Sequence, residues 1–212
     1  SIIRHGAEWI DEIGLVIADE IHLIGDESRG PTLEMILTKL KLLVSKPQIV
    51  GLSATITNSN EIANWLDCIL VKNDWRPVPL SEGVYDAGEV VMNNGKKFKV
   101  EPSICGTPID LGVQSVKDGG QSLVFAETRT RSKALATKAA DVISQFLEKK
   151  ESDELEKISK KILLNNEHTE LVKTLATLIK KGVAFHHAGL NQNCRQTIET
   201  EFRKGTIKLL SS

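Results

Sequence analysis

The chain has 212 residues, enough for one large domain or two small ones, and its 41% apolar residues are sufficient to build a core. Its formal net charge of −1 excludes a strongly basic nucleic-acid binder and an acidic tail, although Lys96, Lys97 and Lys99 supply local positive charge. Three scattered cysteines without a CxxC pair argue against a disulfide framework or zinc knuckle, and no signal-like or membrane-spanning stretch is present, so a soluble, intracellular protein is expected.

Short apolar runs alternate along the chain with longer helical patterns, an order that is typical of a parallel sheet with crossover helices. The α/β fold class is therefore predicted. The predicted strands cover residues 15–18, 48–52, 122–126, 182–185 and 206–210. The first of these is expected to be a buried strand. Between the first two strands, residues 31–44 begin with proline and carry apolar side chains at helical spacing, which predicts a helix that packs on the sheet.

A different pattern separates the first two strands from the rest. Residues 75–120 contain four prolines and frequent glycines, and they include a predicted hairpin with strands at 89–92 and 97–100 around the turn Asn93-Asn94-Gly95. We interpret this segment as the crossing into a second α/β unit that begins near Ser81. Residues 130–181 interleave charged and apolar side chains, which predicts two or three amphipathic helices.

Polar residues of the kinds that often take part in catalysis follow the first two predicted strands. Asp19, Glu20 and His22 come after the apolar run 15–18, where a Mg²⁺ ion bound to phosphate would find its preferred oxygen ligands. One carboxylate can hold such an ion while its neighbour deprotonates an attacking water. The second strand is followed by Ser53, Ala54 and Thr55, whose hydroxyl groups are expected beside the acidic pair. Taken alone, each pattern also fits a helix cap or a solvated turn.

Two later strand ends carry further polar clusters. In "LVFAETRTRSKALA", Thr128, Arg129 and Arg131 follow the strand at the point where a helix is predicted to begin. In "GVAFHHAGL", His186, His187 and Gly189 follow the next strand. Each cluster is also compatible with a structural role, but four such strand ends in two successive α/β units indicate a functional arrangement.

The ordered set DEIH, SAT, FAETRTR and AFHHAGL resembles the superfamily two DExH-box helicases. The stretches "IADEIHLIGDESRGPTLE" and "WRPVPLSEGVY" are more narrowly similar to the Ski-like branch and to its archaeal DNA-repair members, the Hel family. The resemblance runs essentially from end to end. It implies an ATP-dependent helicase that moves 3′ to 5′ along single-stranded or forked DNA, with RNA as a possible substrate, and that acts in repair or in the restart of stalled replication forks.

The resemblance also implies roles for individual residues. Asp19 would bind Mg²⁺ through water, Glu20 would activate the water that attacks ATP, and His22 would join them in the nucleotide site and link it to nucleic-acid binding. The coupling of hydrolysis to strand movement would involve Ser53, Ala54 and Thr55. The path of the bound strand would be lined by Thr128, Arg129, Arg131, His186 and His187. The implied motor is cytoplasmic, monomeric and not bound to a membrane, and it associates with the nucleoid when bound to DNA.

The resemblance is incomplete in two places. The chain contains neither a GxxxxGK[ST] loop nor the arginine-rich element that the family places late in its second motor domain. We therefore interpret it as an internal fragment with two incomplete RecA-like units, in which residues 1–80 form the latter half of one unit and residues 81–212 the first part of another. Because phosphoryl transfer depends on the missing groups, the fragment alone is expected to be nearly inert.

Two hypotheses of other classes remain open at this stage. In a metal-dependent hydrolase, His22, His186 and His187 would join Asp19 or Glu20 around zinc, although no HExxH spacing is present and the SAT motif then has no role. In a non-catalytic module, the chain would only bind nucleic acid or a partner. The intact acidic pair argues against this second hypothesis for the complete enzyme.

Overall fold

The computed structural model describes residues 8–42, 46–54, 56–102 and 106–212. The chain divides into two compact units, Ser1–Val78 and Pro79–Ser212. Each unit contains a parallel sheet with helices in its connections, so the predicted α/β class is confirmed. Among the described residues, no helix is both long enough and apolar enough to cross a lipid bilayer.

Within its described residues, the first unit contains two parallel strands and two α-helices. Strand β1 pairs with β2 so that Leu15 lies opposite Gln48. Helix α1 begins with proline in its first turn, as predicted, and the predicted residues 43–44 lie outside the described residues. The elements in chain order are a 3₁₀ helix Glu8–Glu12, β1 (Leu15–Ala18), a 3₁₀ helix Ile21–Gly25, α1 (Gly30–Lys41), β2 (Gln48–Gly51) and α2 (Ser59–Leu66).

The core of the first unit lies on one side of its sheet. Ala18, Ile21, Leu37 and Leu66 are buried together. In contrast, the side chains of β1 that alternate with this set are exposed, because within the described residues the sheet is covered on one face only. Ile17 is 61% exposed. The prediction of a buried first strand is therefore wrong for half of its side chains.

The second unit contains a small antiparallel sheet and a parallel sheet. The strands are β3 (Gly83–Asp86), β4 (Glu89–Met92), β5 (Lys97–Lys99), β6 (Ser122–Val124), β7 (Val183–Phe185) and β8 (Leu209–Ser211). The helices are α3 (Thr107–Lys117), α4 (Arg129–Ile143), a 3₁₀ helix Ser144–Phe146, α5 (Lys149–Leu164), α6 (Glu170–Lys180) and α7 (Gln192–Arg203).

The antiparallel sheet has the order β3-β4-β5 and contains the predicted hairpin. Its turn closes with the Gly95 N–H group, which donates to the Met92 carbonyl. Gly95 has a φ of 81°, a conformation that glycine adopts without steric cost. Strand β3, which precedes the hairpin, was not predicted from sequence.

The parallel sheet has the order β6-β8-β7. The predicted strand at 206–210 is displaced, since β8 covers Leu209–Ser211. The physical reason is that the N–H groups of Thr206 and Ile207 donate to the Glu201 carbonyl, which keeps the chain in the turn that ends α7. The predicted strand 122–126 likewise ends at Val124.

Three helices occupy the segment predicted to contain two or three. Helices α5 and α6 pack against each other through buried aliphatic side chains, and α4 packs against β7 and β8. Side chains also satisfy the N–H groups at the starts of these helices: Thr169 Oγ1 accepts from Val172 N–H, and Glu148 and Glu151 form a capping box. The result is a large core around both faces of the parallel sheet, with Phe185 fully buried in it.

Candidate functional site

The acidic pair lies in the sharp turn that follows β1. Glu20 adopts the left-handed conformation with φ 54° and ψ 43°, which costs a non-glycine residue on the order of 1–3 kcal/mol. Its N–H group donates to Asp19 Oδ1 at 2.9 Å, and the next N–H group, of Ile21, donates to the Leu52 carbonyl at 2.9 Å. The turn therefore directs two adjacent, exposed carboxylates away from the end of the strand.

His22 brings the DEIH and SAT segments together. Its Nδ1 atom lies 3.3 Å from Glu20 Oε2 and 3.3 Å from Ser53 Oγ. A protonated Nδ1 donates to the carboxylate, whereas an unprotonated Nδ1 accepts from the hydroxyl, so the state of this nitrogen decides which partner it favours. Ala54 follows as an exposed residue, and Thr55 lies outside the described residues.

A second turn, which the sequence analysis missed, leads from this region into α1. Asp26 Oδ1 accepts from the N–H groups of Ser28 and Arg29 and from Ser28 Oγ, and Asp26 Oδ2 accepts from Arg29 Nη2 at 3.1 Å. The Arg29 side chain, followed by the Ser28 hydroxyl, holds the pKa of the Asp26 carboxyl well below its usual range. An aspartate two residues before a serine was the available signal, since this spacing favours a turn closed by the aspartate side chain.

In the second unit, the start of α4 and the loop after β7 meet at the end of β8. Thr128 caps α4 by accepting from Arg131 N–H at 3.2 Å, and Arg129 is the first residue of the helix. The buried Ser132 hydroxyl donates to the Ser211 carbonyl at 3.0 Å, and His186 N–H donates to the same oxygen at 2.7 Å. One carbonyl group thus joins the two segments that carry the predicted nucleic-acid residues.

His187 is held in a fixed orientation, and its surroundings favour the neutral ring. Its ring stacks on Phe185 with centroids 5.3 Å apart, and its Nδ1 accepts from Gly189 N–H at 3.1 Å. Burial lowers the pKa of His187, and the nearby charges of Arg129 and His186 lower that pKa further. The ring is therefore favoured in the neutral form with its proton on Nε2, which is available as a donor.

The remaining predicted residues of this cluster have different surroundings. The position that a Cβ on Gly189 would occupy lies 3.0 Å from the His187 ring and 3.7 Å from Arg129 Nη1, so both side chains lie beside the same point of the loop. In contrast, His186 Nε2 lies 3.0 Å from Glu199 Oε1 of α7. Arg131 is exposed, and its contact with Thr128 is made through its backbone.

Phe185 and Glu199 were not identified from sequence, whereas Gly189 was part of the predicted cluster. Phe185 precedes His187 by two residues, and side chains two residues apart in extended backbone point to the same side. This spacing was a signal that the two rings lie together. The pairing of Glu199 with His186 depends on how α7 packs, and local sequence carries no signal for that.

Within the described part of the chain, no three or more histidine, cysteine, aspartate or glutamate side chains are grouped so that they could hold a metal ion. The metal-dependent hydrolase hypothesis therefore has no assembled ligand set among these residues. The donors that the structure does group, two adjacent carboxylates, are oxygen ligands of the type that Mg²⁺ prefers.

Comparison with known proteins agrees with these motifs. Residues 1–62 match the family model described as DEAD/DEAH box helicase. Over 99% of its length it is 45% identical to the ATP-dependent DNA helicase Hel308 of Methanococcus vannielii, and over its full length 43% and 42% identical to the Hel308 proteins of Caldivirga maquilingensis and Thermococcus kodakarensis. The predicted similarity to the archaeal Hel family is confirmed. The chain spans 28%, 28% and 18% of these three relatives, respectively.

Proposed function

We propose that this chain is part of the motor of an ATP-dependent DNA helicase that moves 3′ to 5′ along a single strand and unwinds duplex DNA during repair or fork restart. In this proposal, residues 1–80 are the latter half of one RecA-like domain and residues 81–212 the first part of a second. The relatives that support it are named ATP-dependent DNA helicases. The observation that carries it is the contact of His22 with both Glu20 and Ser53, because it joins a hydrolytic carboxylate to a second motif.

The acidic pair fits a division of labour in ATP hydrolysis. Asp19 Oδ1 is engaged by the Glu20 N–H group, which leaves Oδ2 to accept from the water shell of a Mg²⁺ ion. Bound there, Mg²⁺ would neutralise charge that develops on the phosphates. The exposed Glu20 carboxylate takes the proton of the attacking water as general base.

Coupling in this proposal passes from Glu20 through His22 to the SAT segment of Ser53, Ala54 and Thr55. Loss of the negative charge on Glu20, by protonation, weakens its attraction for His22 and favours the contact with the Ser53 hydroxyl. A change at the acidic pair is thereby transmitted to the loop after β2.

The nucleic-acid contacts in this proposal come from the second unit. Arg129 offers a guanidinium group, His187 a neutral Nε2–H donor and Thr128 a hydroxyl group, while Arg131 adds a donor at the edge of the cluster and His186 lies there with its Nε2 on Glu199. These groups suit phosphate and sugar, which carry no base information, so these contacts bind a single strand without sequence preference. The substrate is single-stranded or forked DNA, and the motor acts as a monomer.

The test of this proposal is Glu20→Gln in the full-length protein. The amide keeps the size of the side chain but removes the base, so ATP should still bind while turnover falls by roughly two to four powers of ten. Glu27→Gln is the matched control, because Glu27 is an exposed carboxylate of the same loop outside the His22 contact. Steady-state ATP hydrolysis near the wild-type rate in the Glu20 variant would contradict the assignment.

A further inference from the structure

A cavity of about 470 Å³ lies in the second unit, between the α5–α6 connection and the loop after β7. Its polar wall includes Asn165, Asn166, Glu167 and Asn191, and Leu171 supplies apolar surface. This volume falls in the range of about 300–1,000 Å³ that is typical of small-molecule sites, and the combination of apolar surface with a few placed polar groups is typical of them too.

Part of the polar wall is fixed by internal hydrogen bonds. Asn191 Nδ2 donates to Asn166 Oδ1 at 2.8 Å, and Asn166 Nδ2 donates to the Ile162 carbonyl at 2.7 Å. The side-chain amide of Asn165 and the carboxylate of Glu167 are not fixed in this way, because among the described residues neither has a hydrogen-bond partner in the protein. The cavity therefore combines a rigid wall with two side chains that are available to a ligand.

The cavity adjoins the proposed path of the nucleic acid. Gly189 lines it, and the N–H group of the same residue donates to His187 Nδ1. Arg129 Nη1 lies 3.7 Å from the Cβ position of Gly189. A strand whose phosphates contact Arg129 and His187 therefore passes the wall of this cavity.

We propose that the cavity takes one nucleobase of the bound single strand and favours a base with an exocyclic amino group over thymine. This proposal rests on the proposed function. The Glu167 carboxylate repels phosphate, which leaves the base as the part of the strand that fits. An ionised carboxylate only accepts hydrogen bonds, and adenine, cytosine and guanine offer amino donors that thymine lacks.

The experiment measures binding of the full-length protein to labelled oligo-dT in which a single thymine is replaced, position by position, with adenine, cytosine or guanine. At one position, all three replacements should raise the affinity by about two- to tenfold, the effect of one added hydrogen bond. Glu167→Gln should remove this preference, because the amide also offers donors to thymine. Asn165→Trp, which fills the cavity, should remove it as well.

Glu170→Gln is the matched control, because it makes the same charge change three residues away, at a side chain that pairs with Lys173. This variant should retain the preference. The cavity proposal would be overturned by an equal affinity at every position, or by an unchanged preference in the Glu167 variant. Salt-sensitive binding of oligo-dT would still leave the proposed function intact. Failure of the wild-type protein to bind oligo-dT would instead overturn the proposed function.

Discussion

Replacing Arg129 by alanine in the full-length protein should reduce the salt dependence of single-strand binding. Arg129 is an exposed cation at the start of α4, beside the His187 loop, and the proposal assigns it one phosphate. Each neutralised phosphate of a single strand contributes about 0.7 to the slope of log K against log salt. Between about 50 and 200 mM salt, a fourfold change, the wild-type protein should therefore lose about 2.6-fold more affinity than the variant.

Fluorescence anisotropy of a labelled oligonucleotide across a salt series measures this slope. Arg203→Ala is the control, because Arg203 is an exposed arginine at the far end of α7, roughly 16 Å along the helix from the His187 loop. Its slope should equal that of the wild type. If the substitution leaves both the slope and the affinity unchanged, Arg129 is not part of the nucleic-acid path.

Replacing Ser53 and Thr55 together by alanine should reduce duplex unwinding more than ATP hydrolysis, measured in parallel, because the proposal assigns their hydroxyls to coupling and not to the chemistry. Gly30→Ala should lower the melting temperature, because the new Cβ would clash with the backbone carbonyl oxygen of Ile24. Gly25→Ala, which meets nothing within 4 Å, is its control. The lowered pKa of His187 means that the unfolded chain binds more protons, so stability should fall as the pH drops below about 6.5, and His187→Gln should flatten that fall.

Each of these three predictions would be contradicted by a specific result. Equal loss of unwinding and hydrolysis would exclude a coupling role for the two hydroxyls. Matching melting temperatures for the Gly30 and Gly25 variants would show that the turn before α1 relaxes at no cost. Parallel stability curves from pH 7 to 5 for wild type and His187→Gln would mean that the histidine titrates alike in the folded and unfolded chains.

The strand ends that carry the candidate residues were predictable because each follows a short apolar run that is interrupted by charge. The first of these runs, residues 15–18, forms β1 over its full length and pairs with β2. Strand β3 was missed because its four residues include only Val84 and Tyr85 as large apolar side chains, too few for a recognisable alternation. The start of β8 was predicted too early because Ile207 is apolar, although its N–H group still donates to the Glu201 carbonyl near the end of α7.

The contacts of the site were less predictable than its residues. His22 and Ser53 are 31 residues apart, and their 3.3 Å contact follows from the register of β1 on β2, which the sequence does not specify. The lowered pKa of His187 likewise depends on its burial and on the approach of Arg129 from a separate helix. Sequence therefore supplied the candidate side chains, whereas tertiary packing decides which of them touch.

Main-chain hydrogen bonds extend beyond the strand ends in the first unit and provide a second link between the two motifs. Leu52 N–H donates to the Ala18 carbonyl, and Ile21 N–H donates to the Leu52 carbonyl, both at 2.9 Å. A displacement of the loop after β2 therefore moves the turn that holds Glu20 even when the Ser53 hydroxyl is absent. Because one of the two links is backbone, the double alanine substitution should weaken the proposed coupling without abolishing it, and residual unwinding should remain at a reduced ratio of unwinding to hydrolysis.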